Sequence, residues 1–287
     1  MSAELVLGTA QWGSGYGITN SPGRITDAEV AEIVQTARDG GIRAVDTHRA
    51  QREDQGYGDA QRRLAPWARE FSVTTKVFGG IGIPVRAQLE QNLAELTVPA
   101  VATCLVHDWM SLTDAQAAST ANALSALVEE GLCRHAGVAA YDAQDIRRAH
   151  EYFGPHAALQ VPASVLDQRL VADDEIQALL SSVALVHVRG VFAQGLLLPH
   201  DPATAWSDHP DLIRWRRDPE IARIDPIAAC LAFARHLPWA DGIVVGVVSA
   251  AQLRAIIDAW QSAVPVIDWR RFASADVQLL DPRRWPR

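Results

Sequence analysis

Eight short runs of β-branched and aliphatic residues recur along the chain, and segments with helical periodicity separate them. The runs are LVLGTA at 5–10, RAVDT at 43–47, SVTTK at 72–76, TCLVHD at 103–108, HAGVAA at 135–140, ALQVPAS at 158–164, ALVHVRG at 184–190 and GIVVGVV at 242–248. Between them, helices are expected from Thr26, an N-cap with Glu29 three residues on, to the Gly40-Gly41 stop, and then near 85–96, 112–130, from Asp142, 173–181, 219–236 and from Ser249. Parallel strands need crossover connections, and eight of them in 287 residues suit a (β/α)8 TIM barrel folded as a single domain over 1–287. An open doubly wound sheet would place a GxGxxG turn after the first strand, and GTAQWGSGYG does not match it.

Composition narrows the function. The net charge is −8 and the arginines are spread along the chain, which argues against nucleic acid as a partner. No apolar run reaches the roughly 20 residues that cross a bilayer, and the N-terminus lacks a basic flank before an apolar core, so a cytoplasmic protein with no membrane association is expected. Cys104, Cys133 and Cys230 are far apart and form no CxxC, so neither a disulfide framework nor a metal site is expected. A small-molecule partner remains.

A barrel places its chemistry at the C-terminal ends of its strands. Asp46, Lys76 and His107 close or nearly close three consecutive runs. Each has an ordinary structural alternative: a loop cap, a surface lysine, a satisfied core histidine. Lys76 is nevertheless the chain's only lysine, every other basic residue being arginine. An ammonium is a compact point charge that can sit beside one oxygen, whereas a guanidinium is planar and delocalised. Beside a tyrosine, such a charge favours phenolate and lowers the phenol's pKa, and a carboxylate behind the lysine keeps it protonated.

With LGTAQWGSGYG, GIRAVDT, YGDAQRRL, TTK, LVHDW, LQVPASVLDQR, VRGVFAQGLLL and GIVVGVVSAAQL, the chain resembles an aldo-keto reductase over nearly its full length, closest to bacterial members associated with sugar and secondary metabolism. The resemblance implies an oxidoreductase in which an Asp, Tyr, Lys, His tetrad transfers hydride from a nicotinamide cofactor to a carbonyl. Asp46, Lys76 and His107 take three of its places. The family's tyrosine position holds Gln51, and the YG dipeptide comes at Tyr57, eleven positions after Asp46. The match of YGDAQRRL makes Tyr57 the acid, with an insertion in HRAQREDQ; otherwise Gln51 stands in its place, and His48, Tyr16 or His107 would have to serve, or reduction is lost.

For the cofactor, the resemblance implies Gly8, Thr9 and Ala10 beside the nicotinamide, Gln160 on its carboxamide, and Gly246, Ser249 and Gln252 around the adenosine phosphate. NADPH is the expectation and NADH the second choice, because the family's arginine in the last helix is replaced by Gln252 and its asparagine by Ile256, leaving Arg254 to compensate. The Ser-Asn pair usual after the fifth strand is Ala139-Ala140. Trp12, Tyr16 and Trp109 are candidates for an aromatic substrate wall or, equally, for cover over the barrel's top layer. The loop 199–220 and the tail 265–287 are expected to close over the mouth. The substrate would be an aldehyde or ketone, sugar-derived or from natural-product chemistry; the alternative is a barrel of this type that has lost hydride transfer and serves as a lyase, isomerase or ligand-binding protein.

Overall fold

The computed structural model describes residues 3–20, 22–49, 58–199 and 204–285. Gln51 and Tyr57 lie outside the described residues. Eight parallel strands close in sequence order: β1 Glu4–Gly8, β2 Ala44–Asp46, β3 Ser72–Val77, β4 Val101–Val106, β5 Cys133–Ala139, β6 Ala157–Pro162, β7 Leu185–Arg189 and β8 Gly242–Gly246. Closure leaves no strand edge, so every strand is paired on both sides. The barrel helices are α1 Asp27–Asp39, α2 Ala60–Leu64, α3 Val85–Leu96, α4 Asp114–Glu129, α5 Ala143–Phe153, α6 Asp174–Ser182, α7 Pro226–Arg235 and α8 Ala250–Gln261.

The expected eightfold alternation is therefore present, with shifts at the ends. Thr26 and Glu29 form the full capping box of α1. The strand read at 5–10 stops at Gly8, because Ala10–Gly13 already forms a helical turn. The helix expected at 219–236 begins only at Pro226, whose ring suits the first helical position and keeps Asp225, the cap, out of helical geometry. Within the long loop before it, Pro210–Arg217 forms an additional helix.

His187 of β7 fills the space over Gly242, where a Cβ would come within 2.7 Å of the imidazole. The tail packs back on the barrel: Gln168 Nε2 donates to the Trp269 carbonyl at 2.7 Å, and Ser274 N–H to the Leu166 carbonyl at 2.9 Å. No helix among the described residues is long and apolar enough to cross a membrane.

Candidate active site

Register builds the site. Gly8 pairs with Asp46 on one side and with Gly246 on the other, while Asp46 pairs with Thr74. Lys76 is two residues beyond Thr74 and so shares its face of β3. Its Nζ donates to both carboxylate oxygens of Asp46, each at 2.7 Å, and to the Thr47 carbonyl at 3.3 Å. The pair is enclosed, with side chains 1% and 2% exposed. Asp46 Oδ2 also accepts from Gln160 Nε2 at 2.7 Å, across the barrel from β6. Thr9 braces this arrangement from below, its hydroxyl within 2.9 Å of the Thr47 hydroxyl and donating to the Asp46 carbonyl at 3.2 Å. Burial pushes the Lys76 ammonium below its ordinary pKa, and Asp46 acts against that shift.

His107 follows β4, and its ring stacks on His48 at 5.1 Å with 10° between planes; Phe78 lies tilted against both, at 5.3 and 5.2 Å. Burial, then Lys76 and Arg189, lower the His107 imidazole to about 4. His48 is held well below its usual value by burial, then by His107 and Lys76. Both rings are therefore neutral near pH 7. As the pH falls from about 6.5 toward 4, the unfolded chain takes up protons that the folded histidines do not, so stability must decline through that window. The melting temperature is expected to be lower at about pH 5 than at about pH 7, with a smaller drop in His107→Gln.

Beside Asp46 and Gln160 opens a cavity of about 660 Å³, lined also by Arg189, Gly8, Ala10 and Gln11; Lys76, His48 and His107 are not among its lining residues. Gly246, next to Gly8 in the sheet, lines it together with Val248, Gln252 and Ile256, and Leu198, Leu279 and Trp285 contribute from the loop and the tail. Its volume falls in the range of about 300–1,000 Å³ typical of small-molecule sites. A second, smaller cavity of about 220 Å³ adjoins Lys76 and His48.

The family model for the Aldo/keto reductase family matches residues 4–276. The chain belongs to this family. It resembles the solved structure of an aldo-keto reductase from Bacillus halodurans in its holo form, with a TM-score of 0.74 at 18% identity, covering 99% of this chain and 96% of that one. A glycerol dehydrogenase from Gluconobacter oxydans superposes with a TM-score of 0.68 at 18% identity, over 94% of this chain and 90% of that one. An aldo/keto reductase from Klebsiella pneumoniae, solved with NADP and acetate, gives 0.68 at 20% identity over the same shares, 94% and 90%. No curated protein matches the sequence.

Within this family fold, the candidate residues divide. Gly8, Ala10, Gln160, Gly246 and Gln252 line the main cavity, whereas Thr9 is fully buried under Asp46 and Ser249 caps α8. Trp12 and Trp109 correct the expectation of an aromatic wall: both are 0% exposed and belong to the core. Trp109 is packed edge-on against Tyr152 at 5.6 Å, with the Arg148 guanidinium over its ring at 5.1 Å. Tyr16, 43% exposed, does line the cavity, and Gln194 Nε2 donates to its hydroxyl at 3.4 Å. Gln160 lines the cavity, but its amide nitrogen donates to Asp46 Oδ2. Gln11 and Arg189 were not anticipated. Arg189 is the last residue of β7 and lines the cavity, the same strand-end position that Asp46 holds on β2.

Proposed function

We propose that this barrel reduces the carbonyl group of a small aldehyde or ketone with a nicotinamide cofactor, NADPH first and NADH second. The observation that carries the reading is the buried Lys76–Asp46 ion pair beside a cavity large enough for an organic ligand. In this reading Asp46 holds the charge on Lys76, and Lys76 lowers the pKa of the acid, Tyr57, so that the phenol can pass its proton to the carbonyl oxygen. His107, neutral, orients that oxygen by hydrogen bonding. The cofactor, when bound, supplies the hydride. The loop 199–220 and the tail 265–287 would close the cavity over the reactants and exclude water.

The lining fits such a cofactor. Gln11 Oε1 is buried with no partner among the described residues, and it lies beside Gly246, where a Cβ would stand 2.4 Å from that oxygen. An arriving carboxamide N–H would satisfy it. A few residues beyond Gly246, the first turn of α8 presents backbone N–H groups, which favour an anion. Part of that turn is already capped: Ser249 Oγ accepts from Gln252 N–H at 3.2 Å, and Gln252 Oε1 from Val248 N–H at 2.9 Å. Arg254, the cation left to compensate, donates from Nη1 to Thr36 Oγ1 of α1 at 3.3 Å.

Titration of the purified protein with NADPH and NADH, followed by nicotinamide fluorescence, tests the reading. Both should bind, with a modest preference for NADPH. Gln252→Arg should tighten NADPH over NADH by about 1.5–3 kcal/mol at best, the worth of a charged hydrogen bond. Equal tightening of both would mean that the phosphate lies elsewhere. A folded protein that binds neither cofactor would overturn the reading and favour a barrel without hydride transfer.

A further inference from the structure

Among the described residues that line the cavity, Arg189 is the cation, and it differs from the cations near it. Lys76 is paired with Asp46. Arg169 is paired with Asp167, both contacts at 2.8 Å, and Arg283 with Asp281 at 2.8 and 2.6 Å. Arg189 has no carboxylate partner among the described residues. Its Nη2 donates to the Ala140 carbonyl at 3.3 Å, and its guanidinium lies 4.1 Å from the centroid of Tyr141. The Arg283 guanidinium lies against the same ring, at 3.8 Å. A guanidinium stacked on an aromatic ring is held in place while its N–H edge stays available, the geometry that suits two-point binding of a carboxylate or phosphate.

Direction distinguishes the two possible owners of such an oxyanion. Arg189 ends β7, but its contacts lie at the end of β5, on the side away from β8 and from the first turn of α8. Its field reaches the chemistry, lowering the affinity of Lys76 and His107 for protons and opposing the rise that burial imposes on the Tyr16 phenol. Resting on the carbonyl-reduction reading above, we propose that Arg189 is a specificity-determining residue that binds an oxyanion, carboxylate or phosphate, carried by the carbonyl substrate itself.

The test compares para-formylbenzoate with para-formylbenzamide, which differ in charge and little in shape, in wild type, Arg189→Gln and Arg189→Lys. Wild type should favour the benzoate in kcat/KM by about 10- to 100-fold, the range of a charged hydrogen bond. Arg189→Gln should lose that preference with NADPH binding unchanged, and Arg189→Lys should keep part of it. Equal use of both aldehydes by wild type, or a preference that survives in Arg189→Gln, would overturn the proposal. Weakened NADPH binding with the preference intact would assign the oxyanion to the cofactor and overturn it as well. Calorimetric binding of both aldehydes without cofactor separates this proposal from the reduction reading. If wild type turns over neither aldehyde, tighter benzoate binding that is lost in Arg189→Gln still supports the oxyanion site, and equal binding overturns it.

Discussion

Lys76→Met is expected to lower turnover by about 10²–10⁴-fold, the range that a general acid contributes, because the acid loses the charge that tunes it. It should also destabilise the fold. Asp46 is 2% exposed on its side chain, and removing its ammonium leaves a buried carboxylate short of its counterion, at a cost of about 3–5 kcal/mol. The two effects separate in the double variant Lys76→Met with Asp46→Asn, which should regain much of the stability and none of the turnover. Lys76→Arg should not rescue activity, since a planar guanidinium cannot reproduce a point charge 2.7 Å from both oxygens of Asp46. Steady-state kinetics with denaturant unfolding checks both arms, and near-normal turnover in Lys76→Arg would count against the role assigned to Lys76.

Tyr57→Phe is expected to abolish reduction and spare cofactor binding, while Gln51→Ala keeps both. The reason is the chemistry of the available donors. A glutamine amide cannot act as a proton source. His107 and His48 are held neutral well below pH 7, so their acidic imidazolium forms are scarce under working conditions. Of the phenols, Tyr16 lines the cavity, but burial raises its pKa and makes it the poorer acid, so the proposed reading gives the proton to Tyr57, tuned by Lys76. Retained turnover in Tyr57→Phe, together with its loss in His48→Gln or His107→Gln, would move the acid to a histidine.

Much of the barrel is legible because its signals are local. The Thr26–Glu29 capping box and the aliphatic runs ending in Asp46 and Lys76 each state their structure within a few residues. The helix Pro210–Arg217 is harder to read: it is rich in arginine and buries only Leu212 and Trp215, too few to show a periodic apolar face. Trp12 and Trp109 follow strand ends, where a core cover and a substrate wall look alike in sequence, and the packing decides for the core. Gln160 and Gln252 illustrate a different limit. Their positions suit a ligand, but an amide takes whatever partner folding brings within reach, Asp46 in one case and Val248 N–H in the other.

Deuterium transfer tests the central claim most directly. The protein is incubated with NADPH dideuterated at the nicotinamide C4 and with para-formylbenzoate, and the alcohol product is analysed by mass spectrometry. Carbonyl reduction in this site should place one deuterium on the former carbonyl carbon in wild type and yield no labelled alcohol in Tyr57→Phe. A wild-type protein that binds NADPH yet transfers no deuterium to that aldehyde, its amide analogue or a panel of simple aldehydes and ketones would contradict the assignment.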